Sequence, residues 1–444
     1  MYKFRKDFYA DVRIEERFAT QIRLQNGQLH EAKETTEKKA FIRVFDGDMW
    51  YYTSTDDISS IQSSLDKLYT YATPNKDIGK NPIVAKYEVN RDKLLVFNKK
   101  CIKNVPFVDK LALLQNTSDR LTSELCNFKS ATYLDRYSVY NFYSSKGANI
   151  TYDFQTCGVA YGLAFACGEQ SLKEQLSKAR TSFAELNYTD SELQEFVTRC
   201  EDFIKNAKPV EAGSYPVVLA PIVTGVFAHE SFGHKSEADF MLGDKAMAKE
   251  WTIGKKVASS ILTIRETGVY EGSGYVPYDD EGTKAGDNYL IKRGVLAGRL
   301  HSATTAAALN EELTGNARAI NCNYEPIVRM TTTFVANGKS TFEQLIGSIK
   351  RGYYIYSVKH GSGMSTFTIA PSIAYEIVDG KLGQPVKIAV ITGNVFETLG
   401  LIDGVGNDCQ ILSFVTGGCG KMEQFPLNVG MGGPHIRVCK MNVQ

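Results

Sequence analysis

Residues 189–207 read TDSELQEFVTRCEDFIKNA, and Pro209 follows two residues later. Leu193, Phe196, Val197, Cys200, Phe203 and Ile204 recur at helical spacing, which predicts an amphipathic helix with one buried stripe. The proline marks its end. The sequence on either side of this helix differs in texture, and that contrast decides the fold class. Upstream, ADVRIEER (10–17) and ATQIRLQ (19–25) read as strands joined onward by an Asn26-Gly27 hairpin signal. QLHEAKE (28–34) and KKAFIRVFDGDMWYYTST (38–55) continue the meander, with a second tight turn at Asp46-Gly47. Ile58, Ile61, Leu65 and Leu68 then predict a helix behind a Thr/Asp-rich start suited to capping. A second round follows: helix over 107–127, strands over 129–143 and 148–166 about Ser145-Lys146-Gly147, then the helix at 189–207.

Downstream, glycine becomes frequent and short strand-like runs alternate with turns. They are PVVLAPIV (216–223), RMTTTFVANG (329–338), YYIYSVKHG (353–361), STFTIAP (365–371), AYEIVDGK (374–381), KIAVITG (387–393) and HIRVCK (435–440). The expected class is α+β. An N-terminal α/β domain, mainly antiparallel sheet with helices, spans 1–209 with a sub-boundary near 85–110. A β-rich C-terminal domain spans 210–444.

The 444 residues carry 51 basic and 50 acidic side chains, a formal net charge of +1. Direct binding of nucleic acid needs a concentrated basic face, which this balance argues against. The opening MYKFRKDFYADVRIEE lacks the apolar stretch of a signal peptide, and no apolar run approaches the roughly 18 residues of a membrane span. None of the nine cysteines falls in a C-x-x-C pair, so reduced thiols in a cytoplasmic protein are expected.

HESFGH at 229–234 holds the parts of a metal-dependent hydrolase, two imidazoles to hold an ion and a carboxylate to take a proton from water on it. The usual helical spacing is H-E-x-x-H, and here the second histidine comes one residue later. Residues five apart on a regular helix lie roughly 140° apart, so His229 and His234 cannot face one ion unless the helix bulges or ends near Gly233. PVVLAPIV as a strand, Pro221 as a break and a helix from near Thr224 give the motif a strand-to-helix platform. Two protein ligands are too few for catalytic zinc. Glu237, Asp239, His301, His360, His435, Cys409, Cys419 and Cys439 are all available as a third. Cys419 stands among Gly417, Gly418 and Gly420, although on its own residues it reads more simply as a buried inert thiol.

HESFGHKSEADF (229–240) resembles the HEAxGHxxEGD signature of the TldD branch of the TldD/PmbA family, metallopeptidases also called modulators of DNA gyrase. DDEGT (279–283), RMTTTF (329–334) and GGCGKMEQFP (417–426) are similar to further segments of that family. Ser231, Ala238, Glu423 and the NAR at 316–318 depart from its pattern without touching a proposed ligand. The resemblance implies a zinc peptidase with one Zn2+ per active subunit, held by His229, His234 and Cys419, with Glu230 as general base. It implies hydrolysis of unfolded or extended peptides, and a dimer formed with a PmbA/TldE-type partner subunit or with a second copy. Glu237, Asp239 and Asp280 are expected to support the ligands from behind. His360, Arg329 and Thr331 are expected to contact substrate, with RMTTTF as a strand able to hydrogen-bond an extended peptide. The rival functions are a non-catalytic partner subunit of a peptidase complex and a metal-dependent amidase acting on a small substrate.

Overall fold

A computed structural model describes residues 2–444. Alternating apolar residues in the first 180 positions build one seven-stranded sheet. Its strands are β1 (Tyr9–Gln25), β2 (Gln28–Phe45), β3 (Trp50–Thr55), β4 (Arg91–Leu94), β5 (Cys126–Ser144), β6 (Asn149–Cys167) and β7 (Gln170–Arg180). The order is β3-β2-β1-β5-β6-β4, and β7 pairs with the later part of β6. All pairs are antiparallel except β4 with β6. The two strands expected over 10–25 are therefore one, running straight through Arg17 and Phe18. Asn26 and Gly27 take positive φ, as a two-residue hairpin turn requires.

Helices Ile61–Tyr69, Phe107–Arg120 and Asp190–Asn206 cover this sheet. The second stops seven residues before the expected 127. The third begins with a Thr189/Glu192 capping box and buries all six residues of its predicted stripe. They pack against Tyr133, Val159, Tyr161 and Phe165.

From residue 208 onward two sheets face each other. A ten-stranded sheet begins at the edge strand Val358–Gly363 and continues through Thr366–Pro371, Ile391–Asn394, Ile436–Val443, Gly213–Leu219 and Arg351–Ile355. The runs YYIYSVKHG and KIAVITG are each broken into two strands rather than continuous. A six-stranded sheet contains Ile264–Thr267, Thr332–Val335, Gly430–Gly433 and Gln410–Ser413 as neighbours. Helix Pro221–Ala228 lies between the two sheets. Its start is at Pro221, not near Thr224, because proline is well suited to the first helical position. Gly225 lets it approach the second sheet closely, since a Cβ there would lie 2.8 Å from the Gly432 nitrogen. No helix is long and apolar enough to cross a membrane, among the described residues.

The DDEGT segment (279–283) joins the N-terminal sheet to the second half of the chain. Asp279, Glu281 and Thr283 are buried, and the loop bolts the two halves together. Arg13 meets Asp280 at 3.0 Å, Arg43 meets Glu281 at 3.3 Å, and Gly282 packs against Phe142. A second contact joins Glu174 of β7 to the Ser372 hydroxyl, which donates to its carboxylate. Burial raises the Glu174 pKa to about 7, with nearby Lys359 opposing the rise. The folded state then holds this proton more tightly than the unfolded chain, so stability should fall as pH rises from about 4.5 towards 7. Glu174→Gln is expected to flatten that slope and to gain about 1–2 kcal/mol at pH 8, after discounting for partial exposure. Urea denaturation at pH 5 and pH 8 measures it, and an unchanged slope would refute the assignment.

Candidate metal centre

The helix that opens at Pro221 does not stay regular through the histidine motif. Residues His229–Gly233 form one π-helical turn, and His234–Ser236 tighten into a 3-10 turn. The wider turn absorbs the extra residue and brings both imidazoles to one side. Their ring centroids lie 5.0 Å apart at 78°. Gly233 permits the packing beneath, because a Cβ there would sit 2.1 Å from the Met330 sulfur.

Cys419 arrives from the opposite direction on a hairpin of Cys419–Lys421 paired with Gln424–Leu427. Gly418 is required before it: its φ is +153°, and a Cβ would meet the Leu427 carbonyl oxygen at 2.6 Å. The Cys419 sulfur lies 3.6 Å from His234 Nε2. One donor atom from each of His229, His234 and Cys419 falls within 4.8 Å of the others. A tetrahedral zinc with ordinary Zn–N and Zn–S bonds separates its donors by about 3.3–3.6 Å, so the trio fits such an ion after small adjustment. His229 Nδ1 is buried with no hydrogen-bond partner among the described residues, an orphaned atom consistent with ligation or with a role behind the other nitrogen. Burial alone would raise the Cys419 thiol pKa, yet the two imidazoles outweigh it and hold the group well below the usual thiol range. Burial likewise opposes charge on His234, and hydrogen bonding to Cys419 and Glu237 overrides it. The pocket thus favours a thiolate facing a positive charge, the electrostatic setting that a cation satisfies.

Behind these three side chains lies a charged network that sequence reasoning found only in part. Glu237 Oε2 sits 3.3 Å from His234 Nδ1. Lys421, not singled out in the sequence, reaches Glu237 at 3.1 Å, Asp239 at 2.7 Å and the Val328 carbonyl at 2.9 Å. It ties the Cys419 hairpin to the histidine segment, and the signal for it was its place two residues after Cys419. Lys421→Met should leave Glu237 buried without its cation. The expected cost is about 2 kcal/mol of stability and a zinc affinity weakened about 10–100-fold, read by denaturation and by chelator competition.

Glu230 follows His229 directly and remains partly exposed. Burial raises its pKa, with His229 and His234 opposing. Beside it runs the edge strand Val358–Gly363, where a Cβ on Gly361 would come within 3.1 Å of Glu230 Cγ. Among the described residues this strand pairs only with Thr366–Pro371, so its other edge carries no strand, and exposed His360 belongs to it.

The other expected contacts lie elsewhere. Arg329 is fully buried and donates to the Cys419 carbonyl at 2.8 Å and the Gln424 carbonyl at 3.2 Å, so it clamps the hairpin rather than facing substrate. Thr331 is buried and donates to Glu266 through both its amide and its hydroxyl. Strand Thr332–Val335 has neighbours on both sides, which leaves no edge for a peptide. Asp280 pairs with Arg13 and accepts from the Ala319 amide, not from a ligand histidine. His301 is held by Thr305 and Glu311, and His435 by Asp408 and Tyr354, both outside the trio.

Comparison with known proteins shows the family of the chain. Residues 212–444 match the family model described as PmbA/TldA metallopeptidase C-terminal domain, and residues 10–72 match PmbA/TldA metallopeptidase domain 1. A metalloprotease from Synechocystis sp. is 30% identical over 98% of this chain and 94% of its own length. The zinc metalloprotease TldD homolog of Saccharolobus solfataricus is 27% identical over 98% and 96%. Among solved structures, a protein of Thermotoga maritima described as a modulator of DNA gyrase superposes with a TM-score of 0.79 at 17% identity, covering 98% of this chain and 96% of that one. TldE from Thermococcus kodakarensis gives 0.77 at 16% identity, with coverage of 98% and 96%. With a family model spanning more than half of its residues and a full-length relative at 30% identity, the chain belongs to the PmbA/TldD metallopeptidase family.

Proposed function

We propose that this protein is a zinc-dependent peptidase that hydrolyses unfolded or extended peptides. The observation that carries the reading is the convergence of His229, His234 and Cys419 from two separate segments, with Glu230 beside them. A zinc ion on these three ligands would supply Lewis acidity towards the scissile carbonyl and towards water. Glu230 takes the proton of the attacking water and returns it to the leaving amine. Glu237 holds the His234 ring through Nδ1, which leaves Nε2 for the ion. The free edge of Val358–Gly363 supports docking of an extended peptide by main-chain hydrogen bonds. Glycines 361 and 363 let that strand lie against the Glu230 turn, and His360, exposed on it, is the proposed side-chain contact to substrate.

In this reading residues 1–209 form one domain and 210–444 the catalytic one. The enzyme works in the cytoplasm, as a dimer with a PmbA/TldE-type subunit or with a second copy, and binds no nucleic acid directly. The name TldE on a structural neighbour supports that pairing. Incubation with unstructured peptides, read by mass spectrometry, tests the proposal with and without any co-purifying subunit. Cleavage that stops with a chelator and returns with zinc is the expected result. Cleavage only of small amides, or none in either arrangement, would remove the peptidase reading.

A further inference from the structure

Between the N-terminal sheet and loop 318–322 lies a cavity of about 50 Å3. That volume holds a few water molecules or one carboxylate group. Three guanidinium groups line it, from Arg13, Arg136 and Arg318, against the two carboxylates of Glu15 and Asp280. Glu15 is fully engaged: Arg136, Arg17 and the Ser138 hydroxyl all donate to it. Asp280 faces Arg13 Nη1 at 3.0 Å and accepts the Ala319 amide at 2.7 Å. The wall therefore carries one positive charge in excess.

That excess falls on Arg318. Its side chain is buried and donates to the carbonyls of Met330 and Asn428; Asp280 and Glu266 favour its charge from nearby, but no carboxylate is within salt-bridge distance of it among the described residues. Arg13 adds an unused donor. It is 4% exposed, its Nη2 serves the Asn321 and Tyr324 carbonyls, and its Nε has no hydrogen-bond partner among the described residues. A buried guanidinium with no carboxylate in direct contact and a buried donor without an acceptor are both costly, and an anionic ligand would relieve both. The adjoining cavity, about 120 Å3, shares Glu15, Asn321 and Cys322, and its own charges balance, Arg17 and Lys39 standing against Glu15 and Glu37.

The position matters as much as the charge. Leu427 lines the cavity and pairs directly across the hairpin from Cys419. Arg318 also bonds to Met330, whose sulfur packs under Gly233 of the histidine turn. The cavity thus backs onto both segments that carry the metal ligands. We propose that it is a carboxylate-binding subsite for peptide substrate, in which Arg318 and the Arg13 Nε receive a C-terminal carboxylate or an Asp/Glu side chain. A phosphate group would bring more charge than the single excess here can balance. The inference rests on the peptidase reading.

The test uses intact protein carrying Glu230→Gln to halt turnover, and one fluorescent unstructured peptide in three forms. These are a free C-terminus without acidic side chains, the corresponding C-terminal amide, and that amide with one glutamine replaced by glutamate. At least one charged form should bind about 10-fold tighter than the neutral amide. Which one does so identifies the source of the carboxylate. Arg318→Met should abolish the preference while leaving affinity for the neutral amide unchanged. Ala319→Leu, which fills the cavity without removing a charge, should do the same and decides the matter if the arginine variant fails to fold. Equal binding of all three forms, or a preference that survives Ala319→Leu, would overturn the subsite. If all three forms bind alike and the unsubstituted enzyme cleaves them all, only this inference falls. If none binds and none is cleaved, the peptidase reading falls with it.

Discussion

Cys419→Ala is expected to purify with less than about a tenth of the wild-type zinc content, and to lose peptide hydrolysis in proportion. A three-ligand catalytic site that loses one donor retains only two imidazoles, and these sit on a single turn. The lost donor is also the one negative group of the trio, so its removal leaves a cation facing two neutral rings in a buried pocket. The hairpin itself should survive. Arg329 holds it through the Cys419 and Gln424 carbonyls, backbone groups that alanine preserves. Metal analysis after dialysis against buffer, together with the melting temperature, separates ligand loss from misfolding. Undiminished zinc in a folded variant would dismantle the His/His/Cys assignment. Cys419→Ser provides a second comparison, because serine keeps the size but binds zinc far more weakly than thiolate does.

The sequence revealed those parts of the architecture where burial alternates or recurs within a single element. Helix Asp190–Asn206 was legible residue by residue, since its stripe, cap and stop are all local. The turn at Asn26-Gly27 was equally plain, because positive φ at both positions leaves few alternatives. Strand β7 was not read: in QSLKEQLSKAR charged side chains outnumber apolar ones, and only Leu172 and Ala179 are buried. Its pairing with β6 is a tertiary fact. The same limit governed the site. His229, Glu230 and His234 share one turn, and the misfit of their spacing already required a bulge near Gly233, which is where the π-helical turn lies. Cys419 stands 185 residues from His234, and nothing local distinguishes a ligand thiol from a buried one. Arg329 and Thr331 failed as substrate contacts for a related reason. Their segment read as a strand able to hydrogen-bond a peptide, but its neighbours come from Ile264–Thr267 and Gly430–Gly433, far away in the chain.

Glu230→Gln should separate metal binding from chemistry. The amide keeps the shape of the carboxylate, so the turn from His229 to Gly233 and its contact with Gly361 are expected to persist. Neither His229, His234 nor Cys419 is altered, and zinc content should match that of the wild type. What is lost is a group able to accept a proton from water and pass it to the leaving nitrogen. General acid–base catalysis contributes roughly 10^2–10^4-fold, and kcat is expected to fall by about that factor. KM should change little, because the proposed peptide contacts run along Val358–Gly363 rather than through the Glu230 carboxylate. The proximity of that strand makes the KM arm informative: a rise in KM with kcat preserved would assign Glu230 to substrate binding instead. Full hydrolysis by a zinc-loaded Glu230→Gln enzyme would mean that another group performs the proton transfer.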